Sequence, residues 1–190
     1  MKRHGGLGAP LFRAQFSSDT GSVAKTPWFK SGLSFKCTKC GNCCSGTKGT
    51  VRFLETEVDA MVAAVQAESV SAFLDKYARR QGRGAKTFYQ LKQKRTADGF
   101  DCVFLDRKSL KGKAVCSLYD ARPLQCRTWP FWPENVESRQ TWEALKHGTK
   151  GGGCPGINKG PALPAADVME QRDATTEWRL DVDKPWAKLK

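Results

Sequence analysis

Phe35-Lys36-Cys37-Thr38-Lys39-Cys40-Gly41-Asn42-Cys43-Cys44 is the stretch from which the rest of the chain is read. It places Cys37, Cys40, Cys43 and Cys44 within one short loop, at gaps of two, two and no residues. Thiols spaced C-x-x-C can turn inward on one metal, because two intervening residues let the backbone wrap and aim its N–H groups at sulfur. A third cysteine at the same gap extends the wrap around a centre larger than one ion. The doubled Cys43-Cys44 predicts something else. Neighbouring side chains of an extended chain point opposite ways, so these two thiolates are expected to serve different metal positions.

Outward from this loop, the chain has 190 residues, enough for one domain with a core and tails. Its hydrophobic fraction is 39% and its mean hydropathy −0.53, which implies a thin core in need of a staple. Eight cysteines supply one. No apolar run is long enough for a membrane span. The net charge of +13 is unevenly spread. Lys76, Arg79, Arg80, Arg83, Lys86, Lys92, Lys94 and Arg95 form an acid-free stretch, read as a helix end and loop. It would suit a nucleic-acid or anionic partner, but Tyr77, Phe88 and Tyr89 are spaced like core rather than like a stacking platform. Nucleic acid is therefore the less favoured partner, and another protein or a larger assembly the expected one.

Residues 1–34 read as a targeting segment or disordered arm. Lys2, Arg3, Arg13, Lys25 and Lys30 face a lone Asp19, with no apolar signal-peptide run, and Arg13-Ala14-Gln15-Phe16-Ser17-Ser18 has the look of a mitochondrial presequence. A mitochondrial address is expected, with cytoplasm or plastid as alternatives. Residues 35–160 form the expected cysteine-cluster domain and 161–190 a C-terminal strap or docking tail.

Within the domain, Ser45 to Gly49 predicts a turn and Thr50 to Leu54 a short strand. Helices are expected from about Thr56, with Val58, Met61, Val62 and Val65 on one face, and after Ser69 as N-cap. Cys102 to Asp106 and Val115 to Tyr119 read as paired strands. Arg122 to Phe131 reads as a rigid proline-broken loop presenting Cys126, with Arg122 and Arg127 as cofactor-binding donors and Trp129, Phe131 and Trp132 excluding water. Glu134 to His147 predicts one helix, Gly151 to Gly156 a loop presenting Cys154, and Ala165 to Trp178 a last amphipathic segment. The fold class expected is small α+β, metal-stapled, with short strands and loops covered by a few helices.

The chain resembles the YkgJ-like cysteine-cluster family, a zinc- or iron-chelating domain. The resemblance rests on Phe35 to Cys44, Cys102-Val103-Phe104-Leu105, Cys116-Ser117-Leu118-Tyr119, Arg122-Pro123-Leu124-Gln125-Cys126-Arg127, Trp129-Pro130-Phe131 and Cys154-Pro155-Gly156-Ile157. It puts all eight cysteines on motif positions. One branch is associated with lysine methylation of flagellin, a third reading of function, but no glycine-rich S-adenosylmethionine loop follows a strand here.

The metal ligands expected are Cys37, Cys40, Cys43, Cys44, Cys102, Cys116, Cys126 and Cys154. Two [4Fe–4S] clusters, two four-thiolate zinc sites or one thiolate-bridged multinuclear centre would each use all eight. Zinc ribbons pair two C-x-x-C knuckles, whereas this chain has one triple run and scattered single cysteines, which favours iron–sulfur over zinc. The role expected is that of an electron-transfer, assembly or accessory subunit; a zinc-held structural module, RNA- or ribosome-associated, is the alternative. Disulfides are the remaining option. His4 and His147 stand alone, and no serine–histidine pair, H-E-x-x-H or phosphate loop marks a catalytic site.

Overall fold

The computed structural model describes residues 26–46, 51–82, 87–97, 99–148 and 153–182. In chain order the elements are β1 (Leu33–Phe35), β2 (Ser45–Gly46), β3 (Arg52–Phe53), α1 (Val58–Val65), α2 (Val70–Tyr77), β4 (Ala78–Gln81), β5 (Phe88–Leu91), β6 (Gln93–Thr96), β7 (Gly99–Cys102), β8 (Leu105–Asp106), β9 (Val115–Cys116), α3 (Leu124–Arg127), α4 (Pro133–Val136), α5 (Arg139–His147), β10 (Ile157–Leu163) and α6 (Ala165–Val182). The strands form small antiparallel sheets, ordered β1-β10, β2-β7-β6, β3-β5-β4 and β8-β9. This is the small α+β class that the sequence predicts.

Apolar side chains gather in two main clusters, with a smaller third. In the first, α1 and α2 turn Val58, Met61 and Phe73 onto Phe53 and Tyr89 of the β3-β5-β4 sheet. Phe53 stacks on Tyr89 with ring centroids 5.5 Å apart. The Ser69 hydroxyl accepts the Ala72 N–H at 3.1 Å, so the cap of α2 is the one its sequence predicts. The second cluster joins Phe29 and Leu33 to Phe131, Trp142, Ile157 and Val168. The third holds Phe88 against Trp178 and Val182 of α6.

Several expected elements take other forms. Cys102 to Asp106 is two strands, because the chain turns at Val103-Phe104 and changes sheets. The partner strand is only β9, which pairs Cys116 with Leu105. The first helix begins as a 3-10 turn at Glu55–Glu57. Most of the acid-free basic stretch is strand rather than helix end and loop: β4 and β5 pair along its length, with Phe88 and Tyr89 buried. Arg83 and Lys86 lie outside the described residues. Glu134 to His147 is two helices, since the Ser138 hydroxyl caps a new start by accepting the Thr141 N–H. Ile157–Leu163 forms β10 despite Gly160 and Pro161, because its two ends pair with β1 (Ile157 with Phe35, Ala162 and Leu163 with Ser34 and Leu33) and the register shifts across the residues between. The expected arm (residues 1–25 of it), Thr47 to Thr50, Gly151-Gly152 and 183–190 also fall outside the described residues.

Candidate metal centre

The cysteine loop is shaped by Gly41. Its φ of 80° is a left-handed conformation open to glycine, and a β-carbon there would come within 2.6 Å of the Ala114 side chain. Behind it Asn42–Cys44 winds into a 3-10 turn. Successive side chains on such a turn are about 120° apart rather than opposed. Cys43 and Cys44 therefore face the same hollow, with their Sγ atoms 3.6 Å apart. The expected divergence of the doubled cysteines is corrected: it presumed extended chain, and the glycine turn removes that condition.

The other thiols arrive from four places. Cys102 ends β7, Cys116 ends β9, Cys126 sits on α3 and Cys154 precedes β10. The loop expected to present Cys126 is partly a helix, with Pro123 at its N-cap, where proline costs no hydrogen bond. Asn42 Nδ2 donates to Gly153 O at 2.7 Å and Lys36 N to Gly156 O at 3.1 Å, tying the Cys154 loop to the Cys37–Cys44 loop. Cys37, Cys40, Cys43, Cys44, Cys102, Cys116, Cys126 and Cys154 all line one cavity of about 720 Å³. All eight are unbridged.

Among the described residues no three cysteine, histidine or carboxylate side chains converge tightly enough to grip one ion. The thiols stand around a space instead. Leu91, Phe104, Leu105 and Leu118 give that space apolar backing, and Trp129 and Trp132 close one side. Phe131 is not with them; it stacks on Trp142 in the second apolar cluster. Arg122 lines the cavity, donates to Tyr119 O at 2.7 Å and lies 3.9 Å over the Tyr119 ring. Arg127 is exposed on α3 and does not line it, so the pair of expected cofactor donors reduces to Arg122.

Burial governs the metal-free thiols. It pushes Cys102 up to about 11 and raises Cys116, Cys126 and Cys154. Cys43 behaves differently. The hydrogen bond with Cys44, opposed by burial, draws it down to about 7, while the same contact and burial raise Cys44. Cys43 is thus lowered where Cys44, Cys102, Cys116, Cys126 and Cys154 are raised.

Two buried donors face this wall without a hydrogen bond of ordinary geometry: the Thr38 hydroxyl and the Trp129 indole N–H. Trp129 lies near enough to Cys154 to favour its thiolate, against the larger effect of burial. A buried donor left alone costs free energy. A thiolate-held group in the cavity would give both donors acceptors. Eight soft donors, an apolar wall and orphaned N–H and O–H groups fit a metal centre.

Residues 36–150 match the CxxCxxCC family, described as a "Putative zinc- or iron-chelating domain". The chain belongs to this family. Metal binding by the cysteine domain is the general function that membership carries, in agreement with the resemblance seen in the sequence. No solved structure matches the chain. No helix among the described residues is long and apolar enough to cross a membrane.

Sequence reasoning missed Glu57. Its carboxylate accepts the Leu54 N–H at 2.8 Å, the Leu124 N–H at 2.6 Å and the Trp178 indole N–H at 3.0 Å. It thereby joins the start of α1 to α3 and α6. The signal available was only an acid in the first turn of a helix, which is ordinary there.

Proposed function

We propose that the eight thiolates hold a multinuclear iron–sulfur centre, and that the protein serves as an electron-transfer or assembly subunit. The observation that carries this reading is the single cavity of about 720 Å³ with every cysteine of the chain on its wall. Cys37, Cys40, Cys43 and Cys44 would wrap one side, and Cys102, Cys116, Cys126 and Cys154 would close on it from other elements. The centre would supply one-electron exchange. The chain's own residues do the rest: Trp129 and Trp132 keep water back, Arg122 offsets thiolate charge, and Trp129 and Thr38 donate to sulfur. The α6 helix then acts as a strap, holding α3 and hence Cys126 through Glu57 and Trp178. The basic, acid-poor N-terminal stretch supports a mitochondrial address.

One observation favours zinc as the second reading. Two thiolates on one tetrahedral zinc lie about 3.8 Å apart, from a Zn–S bond of about 2.3 Å. The Cys43–Cys44 sulfur separation is 3.6 Å. Anaerobic purification with iron, zinc and acid-labile sulfide measured together, followed by Mössbauer spectroscopy, decides between them. Iron with stoichiometric sulfide is expected. Zinc without sulfide would overturn the first reading in favour of the second.

A further inference from the structure

Five lysines lie on two adjoining loops that also carry cavity-lining residues. Lys36 and Lys39 flank Cys37 on its loop, and Lys108, Lys111 and Lys113 lie on the hairpin loop between β8 and β9. The two loops run side by side. Ala114 N donates to Lys39 O at 2.7 Å, and Lys113 Nζ to Thr38 O at 3.5 Å. All five lysines are exposed, as is Cys37 between them. The nearby acids are already engaged. Asp106 accepts the backbone N–H groups of Lys108 and Ser109 and the Ser109 hydroxyl, and Asp101 is held by Arg107 at 2.8 and 2.9 Å. Among the described ion pairs none involves any of the five.

A simpler role would be to offset the thiolates from within. That role falls to other residues: Arg122 acts on Cys43, Cys116 and Cys126, and Lys94 on Cys102. Of the five, only Lys39 reaches the cavity wall. The other four are exposed, Lys113 with a long contact to Thr38 O, and their like charges repel, so an anionic surface would relieve them. At the tip of the same hairpin loop Leu110 is 44% exposed, an apolar spot inside a charged rim. Apolar centre and charged rim together describe a protein-docking face. Nucleic acid would call for free aromatic faces, and the exposed Tyr119 nearby is already covered by Arg122.

We propose that this lysine collar docks an acidic protein partner over Cys37, so that exchange with the metal centre takes place at that edge. What is exchanged rests on the iron–sulfur reading above; the docking does not. The test uses the full chain with its own metal, a fluorescein-labelled polyglutamate peptide as the acidic probe, and an oligouridine RNA as the competitor class. Binding is read by anisotropy at about 0.15 M salt, where only close charges act. Lys36→Gln, Lys108→Gln, Lys111→Gln and Lys113→Gln together, with Lys39 on the cavity wall left in place, should weaken peptide binding at least about tenfold. The control, Lys76→Gln, Arg79→Gln, Arg80→Gln and Arg95→Gln, all in the basic stretch and away from the thiols, should weaken it less than about threefold. Carbodiimide cross-links to the peptide should map to the five lysines. Equal losses in the two variants, cross-links scattered over the chain, or tighter binding of the RNA through the same lysines would overturn the proposal. Metal content measured on the collar variant should match the wild type. Zinc without sulfide in both would end the electron-transfer reading and leave the docking result standing.

Discussion

At the scale of single residues, the cavity wall carries buried donors that the cysteine pattern does not contain. Trp129 is the sharpest case: its N–H is buried beside Cys154 with no oxygen to receive it. Trp129→Phe keeps the ring and removes the donor. Metal affinity should fall by about tenfold, the lower end for loss of a partner to a ligand, with a changed absorption spectrum. An unaltered spectrum and affinity would show that the indole only fills space. Acid–base behaviour follows from the thiols. Burial raises Cys102, Cys116, Cys126 and Cys154 above the ordinary thiol range, so their contribution to the stability of the metal-free protein is whole below about pH 8.5 and is lost as pH rises, up to the value of about 11 reached by Cys102. Cys43, drawn down to about 7, works the other way, its contribution being lost as pH falls through that value. Metal binding runs the other way, because ligands must give up their protons. Affinity measured against a competing chelator should rise with pH, and calorimetry in buffers of different ionisation enthalpy should detect released protons. A pH-independent affinity would contradict this account.

At the scale of elements, the cysteines are positioned by contacts remote in sequence. Helix α3 has four residues and cannot hold itself. Its first N–H is received by Glu57, which also holds Trp178 of α6. Glu57→Ala would leave three donors unpaired, at about 1 kcal/mol or more each if they stay buried. The expected outcome is a lower unfolding temperature together with weaker metal retention, since Cys126 rides on α3. Glu57→Gln should recover part of both. Stability lost with metal retention unchanged would mean that α3 is held by other means. The cysteine loop shows the same dependence: its Gly41 turn fits only because Ala114, from the next hairpin, is small.

At the scale of the whole molecule, apolar burial is split among separate clusters rather than gathered into one core, and the cavity lies where the cysteine-bearing elements meet. Metal-binding free energy in such a protein is folding free energy. Removing metal with a strong chelator should lower the unfolding temperature and broaden the transition, read by circular dichroism; replacing Cys37, Cys40 and Cys43 together by Ala should do the same. A metal-free triple variant that unfolds like the wild type would show that the clusters suffice alone. The N-terminal arm belongs to this scale as well. Fused to a fluorescent reporter, residues 1–34 should carry it into mitochondria, and deletion of residues 1–25 should leave metal content and unfolding temperature unchanged. A diffuse reporter would retire the address.

By itself the sequence determined the family and the fold class and singled out the eight cysteines, because cysteine spacing and short apolar periodicities are local properties of the chain. It also marked the Ser69 cap, since a hydroxyl reaching an N–H three residues on needs nothing from elsewhere. Tertiary structure decided how the donors meet. That Cys43 and Cys44 face one hollow follows from a left-handed glycine packed on Ala114. That Cys126 stands on a helix follows from Glu57, far away in sequence, and that Ile157–Leu163 is a strand follows from β1. Each is a contact between distant segments, and local periodicity carries no record of a partner that only folding brings near.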